Sequence, residues 1–215
     1  MVNNALTVNA LEATVILYGG RLSPFVRRVE LWLALQGRPV ERRYVSVFAN
    51  NFDGVAAINP LGRVPVLTTD AGENVFETSA IIDYLEDTAE PPSRLLPATG
   101  PARLRVMQII ALSHGIAEKG IALHYETRRR PQQFQWSEWQ DRLKTQISNG
   151  LQALEATVDD DPSTPGAVEI AACCAYDINA VMLPELIDPA FTRLKALSEQ
   201  ANTHPAFART YPLLS

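Results

Sequence analysis

The proline-rich stretch AEPPSRLLPATG, residues 89–100, divides the 215-residue chain into two unlike parts. Proline has no amide hydrogen and clashes with the preceding helical turn, so no regular element runs through such a stretch. Before it, strand-like and helix-like runs alternate; after it, nearly everything has helical spacing. A chain punctuated in this way folds as a small α/β layer followed by a helical bundle.

The first part opens with TVILY (14–18), a β-branched run that suits a buried strand. A helix follows from Pro24 to about Gln36, with proline at its first position and Gly37 just past its end. Its apolar Phe25, Val26, Val29, Trp32 and Leu33 are expected inward, and Arg27, Arg28 and Glu30 in water. PVERRYVSV (39–47) alternates like a half-buried strand, completing one βαβ unit. Residues 52–58 read as a short irregular helix. VPVLTT (64–69) and NVF (74–76) read as strands, and ETSAIIDYLEDT (77–88) as an amphipathic helix. The second part reads as helices near 101–130, 137–158, 167–183 and 190–200, with a last turn near 205–210. The expected domains are a tail (1–13), an α/β domain (14–89), a linker (90–100) and an all-α helical domain (101–215).

Composition excludes several classes of function. The formal net charge is −5, and residues 1–90 carry 7 basic against 11 acidic side chains, leaving 12 against 13 for the rest. No basic half points to nucleic acid. No apolar run approaches the roughly 18 residues of a membrane span, and the start lacks the pattern of a signal peptide. The adjacent Cys173 and Cys174 make neither a relaxed disulfide nor a metal site, and are expected in the core. These features fit a reducing cytoplasm, with no metal, no nucleic acid and no membrane as partners.

Three stretches carry chemistry. In LYGGRLSPFVRRV (17–29), Ser23 stands directly before the helix proline: it either caps the helix or presents a reactive hydroxyl. In INPLGRVPVL (58–67), Pro65 interrupts a strand and so belongs at an edge or in a cis bond. A cis bond would turn the Val64 backbone outward to pair with an extended peptide. In VFETSAIIDYL (75–85), Glu77 and Thr78 stand where a strand gives way to a helix. They serve as helix-start residues, with Thr78 or Ser79 as the cap, or as a grip for a small zwitterion.

SPFVRRV, NPLGRVPVL and ETSAIIDYL, in that order and followed by a proline-rich linker into a helical domain, resemble the glutathione S-transferase family. SPFVR and RRRP look most like bacterial members with a serine at the active site. The resemblance implies a thioredoxin-like first domain, glutathione as co-substrate, a small-molecule electrophile as second substrate, and a homodimer. It gives Ser23 a hydrogen bond to the glutathione sulfur, and Val64, before Pro65, backbone pairing with the cysteinyl unit. Arg63 approaches the glycyl carboxylate, while Glu77 and Thr78 hold the γ-glutamyl end. Tyr18 is the rival hydroxyl. The electrophile is expected against Gly20, Arg21, Leu22 and Phe25, and against His114 and Glu118, which share a face of the next helix.

The pattern also departs from the family. Gly166 and Glu169 stand where relatives have a hydroxyl cap and an aspartate, and Asn50 and Asn51 where some carry a lysine. The reaction implied is conjugation of glutathione. Two alternatives are glutathione-dependent reduction of peroxides or disulfides, and glutathione binding without turnover. No G-x-S-x-G elbow supports a serine hydrolase.

Overall fold

The computed structural model describes residues 14–47, 52–159 and 165–213. The expected tail, Asn50 and Asn51 lie outside the described residues. In chain order the elements are β1 (Val15–Tyr18), α1 (Pro24–Leu35), β2 (Val40–Arg43), α2 (Phe52–Ala56), β3 (Val66–Thr68) and β4 (Asn74–Phe76). Then come α3 (Thr78–Asp87), α4 (Gly100–Arg128), α5 (Ser137–Glu155), α6 (Ala167–Met182), α7 (Thr192–Ala201) and α8 (Pro205–Thr210).

The sheet order is β2-β1-β3-β4. β1 runs parallel to β2 and antiparallel to β3, and β3 runs antiparallel to β4. The expected β-α-β, β-β-α order is therefore a thioredoxin-like layer. β2 ends at Arg43, short of the expected residue 47, and lies at the sheet edge.

The inner side of the sheet (Leu17, Leu67) and α1 (Val29, Leu33) bury a core that continues through α3 (Ile81, Leu85). The same apolar cluster runs on into the helical domain through α5 (Ile147, Leu151) and α6. α6 is buried along most of its length, including Cys173 and Cys174. It packs closely on α4: a Cβ at Gly120 would lie 2.3 Å from the Asn179 Oδ1. At the α6 start the Glu169 carboxylate accepts from the Gly166 N–H at 2.7 Å, the half of a capping box that needs no side chain at the N-cap.

Two arginines overturn an expectation. Arg27 and Arg28 face protein, not water, at 3% and 5% exposure. The reason is architectural: α1 lies between the sheet and the helical domain, so its polar side is covered too. Arg27 donates from Nη1 to Asp177 Oδ2 at 2.7 Å, from Nε to Thr210 Oγ1 and from Nη2 to Asn202 Oδ1. Ser198 Oγ donates to the other Asp177 oxygen. One guanidinium thus ties α1 to α6, α8 and the end of α7. Arg28 has no ion-pair or hydrogen-bond partner among the described residues, and burial pulls its guanidinium down to about 10.

The linker is fastened as well. The buried Glu86 carboxylate accepts from Trp32 Nε1, Gln36 Nε2 and the backbone N–H groups of Leu95 and Leu96, at 2.9–3.0 Å.

Removing one partner of a buried pair leaves an uncompensated charge, which costs about 3–5 kcal/mol. Asp177→Ala is expected to destabilise by that amount in urea unfolding. The double variant Arg27→Leu/Asp177→Leu is expected to cost clearly less than the sum of the two single changes.

Candidate active site

The β1–α1 connection sets the site. Gly19 adopts φ +149°, and a Cβ there would lie 2.2 Å from the Val26 side chain, so only glycine fits. The Ser23 N–H bonds the Gly20 carbonyl at 3.2 Å, closing the turn into α1. The Ser23 hydroxyl accepts from the Val26 N–H at 3.2 Å, and its carbonyl accepts from the Arg27 N–H at 3.0 Å. Ser23 is therefore a true N-cap, and its own hydroxyl hydrogen is left to donate elsewhere. Pro24 has no N–H, so the Phe25 N–H is the helix's outward donor, unpartnered among the described residues.

A second loop faces this helix start. Val64–Pro65 is cis, the second of the two readings the sequence left open. The fully buried Asn59 braces the loop: its Nδ2 donates to the Arg63 carbonyl at 2.8 Å, and its Oδ1 accepts from the Leu61 N–H at 3.0 Å. Asn59 is a positioning residue that the sequence motifs did not single out.

At the start of α3, Glu77 itself occupies the cap position, with φ +69° and no side-chain cap bond, in place of the Thr78 or Ser79 cap expected. A non-glycine residue at positive φ is strained by about 1–3 kcal/mol and persists only where its surroundings hold it. Thr78 is buried beside it, and the exposed Glu77 carboxylate pairs with Arg63 at 3.7 Å.

Between these loops and the helical domain lies a cavity of about 890 Å³. Gly20, Arg21, Leu22, Ser23, Phe25, Arg63 and Val64 line one side, and Ile121, His124, Tyr125, Arg129 and Met182 the other. That is the upper range of small-molecule sites. Four of the expected pocket residues, Gly20, Arg21, Leu22 and Phe25, line it. His114 and Glu118 are not among the lining residues; the His114 ring packs on Phe25, centroids 4.9 Å apart. Ile121 and Tyr125 continue the His114–Glu118 stripe, and Tyr125 lies about 10 Å further along α4 than Glu118. Tyr18 is turned away: its hydroxyl accepts from Arg43 Nη1 at 3.1 Å on the β2 side.

The two histidines on α4 are held below their usual pKa. Burial is the main cause for both; Arg28 adds to it at His114, and Arg129 and Arg128 at His124. Among the described residues no cluster suits a metal ion, and no helix is long and apolar enough to cross a membrane.

Residues 17–93 match the family profile described as glutathione S-transferase, N-terminal domain. The GST-like protein YibF of Escherichia coli K12, itself uncharacterised, is 32% identical over 203 residues, covering 91% of this chain and 98% of that one. This chain belongs to the glutathione S-transferase family. Solved family members superpose along its length. A transferase from Methylobacterium radiotolerans, in complex with glutathione sulfonate, gives a TM-score of 0.86 at 27% identity, covering 94% of this chain and 96% of the other. A family member from Pseudomonas fluorescens Pf-5 with bound glutathione also gives 0.86, at 26% identity and 93% and 100% coverage.

A histidine whose folded pKa lies below its unfolded value of ~6.5 stabilises the fold above that value, and the contribution is lost as pH falls through the folded pKa. For this family member, urea midpoints are expected to fall between about pH 7 and pH 5. The fall is expected to flatten in His114→Gln/His124→Gln, as equilibrium unfolding at several pH values would show.

Proposed function

We propose that this family member is a glutathione transferase in which Ser23 stabilises the thiolate of bound glutathione for attack on a small electrophile. The observation that carries the reading is the state of the Ser23 hydroxyl. It accepts from its own helix and keeps its hydrogen to donate, at the cavity wall. Arg63, Val64 with Pro65, Glu77 and Thr78 are assigned to glutathione. The cavity face formed by Gly20, Arg21, Leu22 and Phe25, with Ile121 and Tyr125 opposite, is assigned to the electrophile.

The magnitudes suffice without a general base. A free thiol titrates near ~8.5, and lowering it by about two units takes about 2.7 kcal/mol. A hydrogen bond to a charged group supplies about 1.5–3 kcal/mol. The start of α1 adds about 0.3–1 kcal/mol through its dipole and the Phe25 N–H. In the reaction the sulfur forms a bond to the electrophilic carbon, the thiol proton passes to solvent, and the displaced group leaves with its electron pair.

Reduction through a protein thiol is disfavoured. Cys173 and Cys174 are buried, and burial holds the first well above its usual pKa and the second up at about 11. Ser23 forms no mixed disulfide. A homodimer in a reducing cytoplasm completes the reading, in keeping with the two free thiols.

Titration of the bound thiolate by its ultraviolet absorbance tests the assignment. Ser23→Ala is expected to raise the thiol pKa by about one to two units, the worth of one charged hydrogen bond. Tyr18→Phe is expected to leave it in place. A thiolate formed normally in Ser23→Ala would sink the serine assignment, and glutathione binding without turnover on a broad electrophile panel would favour a binding protein.

A further inference from the structure

We propose that Arg28 is a second source of the acidity of the bound thiol: a buried positive charge that acts on the thiolate through space without touching it. The inference rests on the glutathione reading above and adds a residue to it.

Arg28 is an anomaly of the fold. Its side chain is enclosed, at 5% exposure, and its Nε has no hydrogen-bond partner among the described residues. Among those residues no carboxylate pairs with it, whereas Asp177 neutralises its neighbour Arg27. An uncompensated charge in a packed interior is costly and calls for an explanation. The guanidinium still carries its charge at neutral pH, since burial lowers its pKa only to about 10.

Its place on α1 supplies the explanation. Helical side chains lean back over the turn N-terminal to their own Cα, so Arg28 covers the turn that holds Pro24 and Phe25. The Phe25 ring packs on His114, and burial first, then Arg28, holds that imidazole below its usual pKa. The guanidinium therefore stands behind the Phe25–His114 contact, toward the helix start that Ser23 caps. Five residues of helix separate Arg28 from Ser23, about 7.5 Å along the axis.

The groups around it leave its field uncancelled. From α6, Cys174 is a neutral thiol, held up at about 11 by burial. From α4, His114 is neutral; Glu118 beyond it is exposed and pairs with Lys119. Glu77 pairs with Arg63. Glu86 of α3 is taken up by Trp32, Gln36 and the linker amides. On α1 itself, Glu30 pairs with Arg42 and with Arg209 of α8. A unit charge at about 10 Å, with an effective dielectric constant of about 20, moves a pKa by roughly one unit. A positive charge favours the thiolate, so the shift is downward.

The test titrates the thiol of glutathione bound to the full chain by its ultraviolet absorbance. Arg28→Met and Arg28→Gln are each expected to raise its pKa by about one unit. Arg28→Lys, which keeps the charge, is expected to hold it within a few tenths. S-methylglutathione, whose sulfur cannot ionise, is expected to bind the native protein and Arg28→Met within about twofold of each other. The inference is overturned by a thiol pKa unmoved in the two neutral variants, or by one raised as far in Arg28→Lys. A rise accompanied by lost S-methylglutathione binding overturns it too, because the effect is then one of packing. If Ser23→Ala raises the thiol pKa and the neutral Arg28 variants do not, the inference falls and the serine reading stands. If the thiol bound to native protein titrates like free glutathione, both fall.

Discussion

Arg27 and Asp177 set the geometry on which the site depends. The pair is deeply buried and bridges α1, which the sheet domain contributes, to α6, the central helix of the other domain. Buried charges are tolerated only when every donor and acceptor around them is matched. Thr210, Asn202 and Ser198 complete that matching here. Ser23 lies one helical turn before Arg27, and the two share the first backbone bond of α1. The hydroxyl is therefore positioned by the helical domain as much as by its own loop. With Glu86 clamping the linker, the pair also fixes α4 opposite the helix start, which is what makes a cavity there.

Much of this was legible because local rules agreed. Proline at the start of α1, glycine after its end and the proline-rich break each act through backbone sterics that tertiary context seldom overrides. The three motifs name residues on two of the loops that border the cavity and at the α3 start. What was not legible depends on contacts between distant segments. Arg27 and Arg28 read as a wet face because amphipathic reasoning assumes one covered side, and α1 has two. The cavity sits further along α4 than His114 because spacing gives the face of a helix but not where a neighbouring loop meets it. Nothing in the sequence pattern marked Glu86 or Asn59. Their partners, the Leu95 and Leu96 amides and the Arg63 carbonyl, are backbone groups that carry no sequence signal.

The Arg63–Glu77 pair has a consequence for what the site accepts. Both side chains are substantially exposed and 3.7 Å apart, so the contact is weak and screened by salt. In the reading proposed here, these two groups take opposite charges of the same zwitterion. They answer one another, so the site presents a small closed dipole in place of two bare charges. Opening that dipole costs at most about 1 kcal/mol. The arrangement acts as a weak latch: stray single ions gain little by entering, whereas a molecule that offers both charges at once replaces both halves of the contact together.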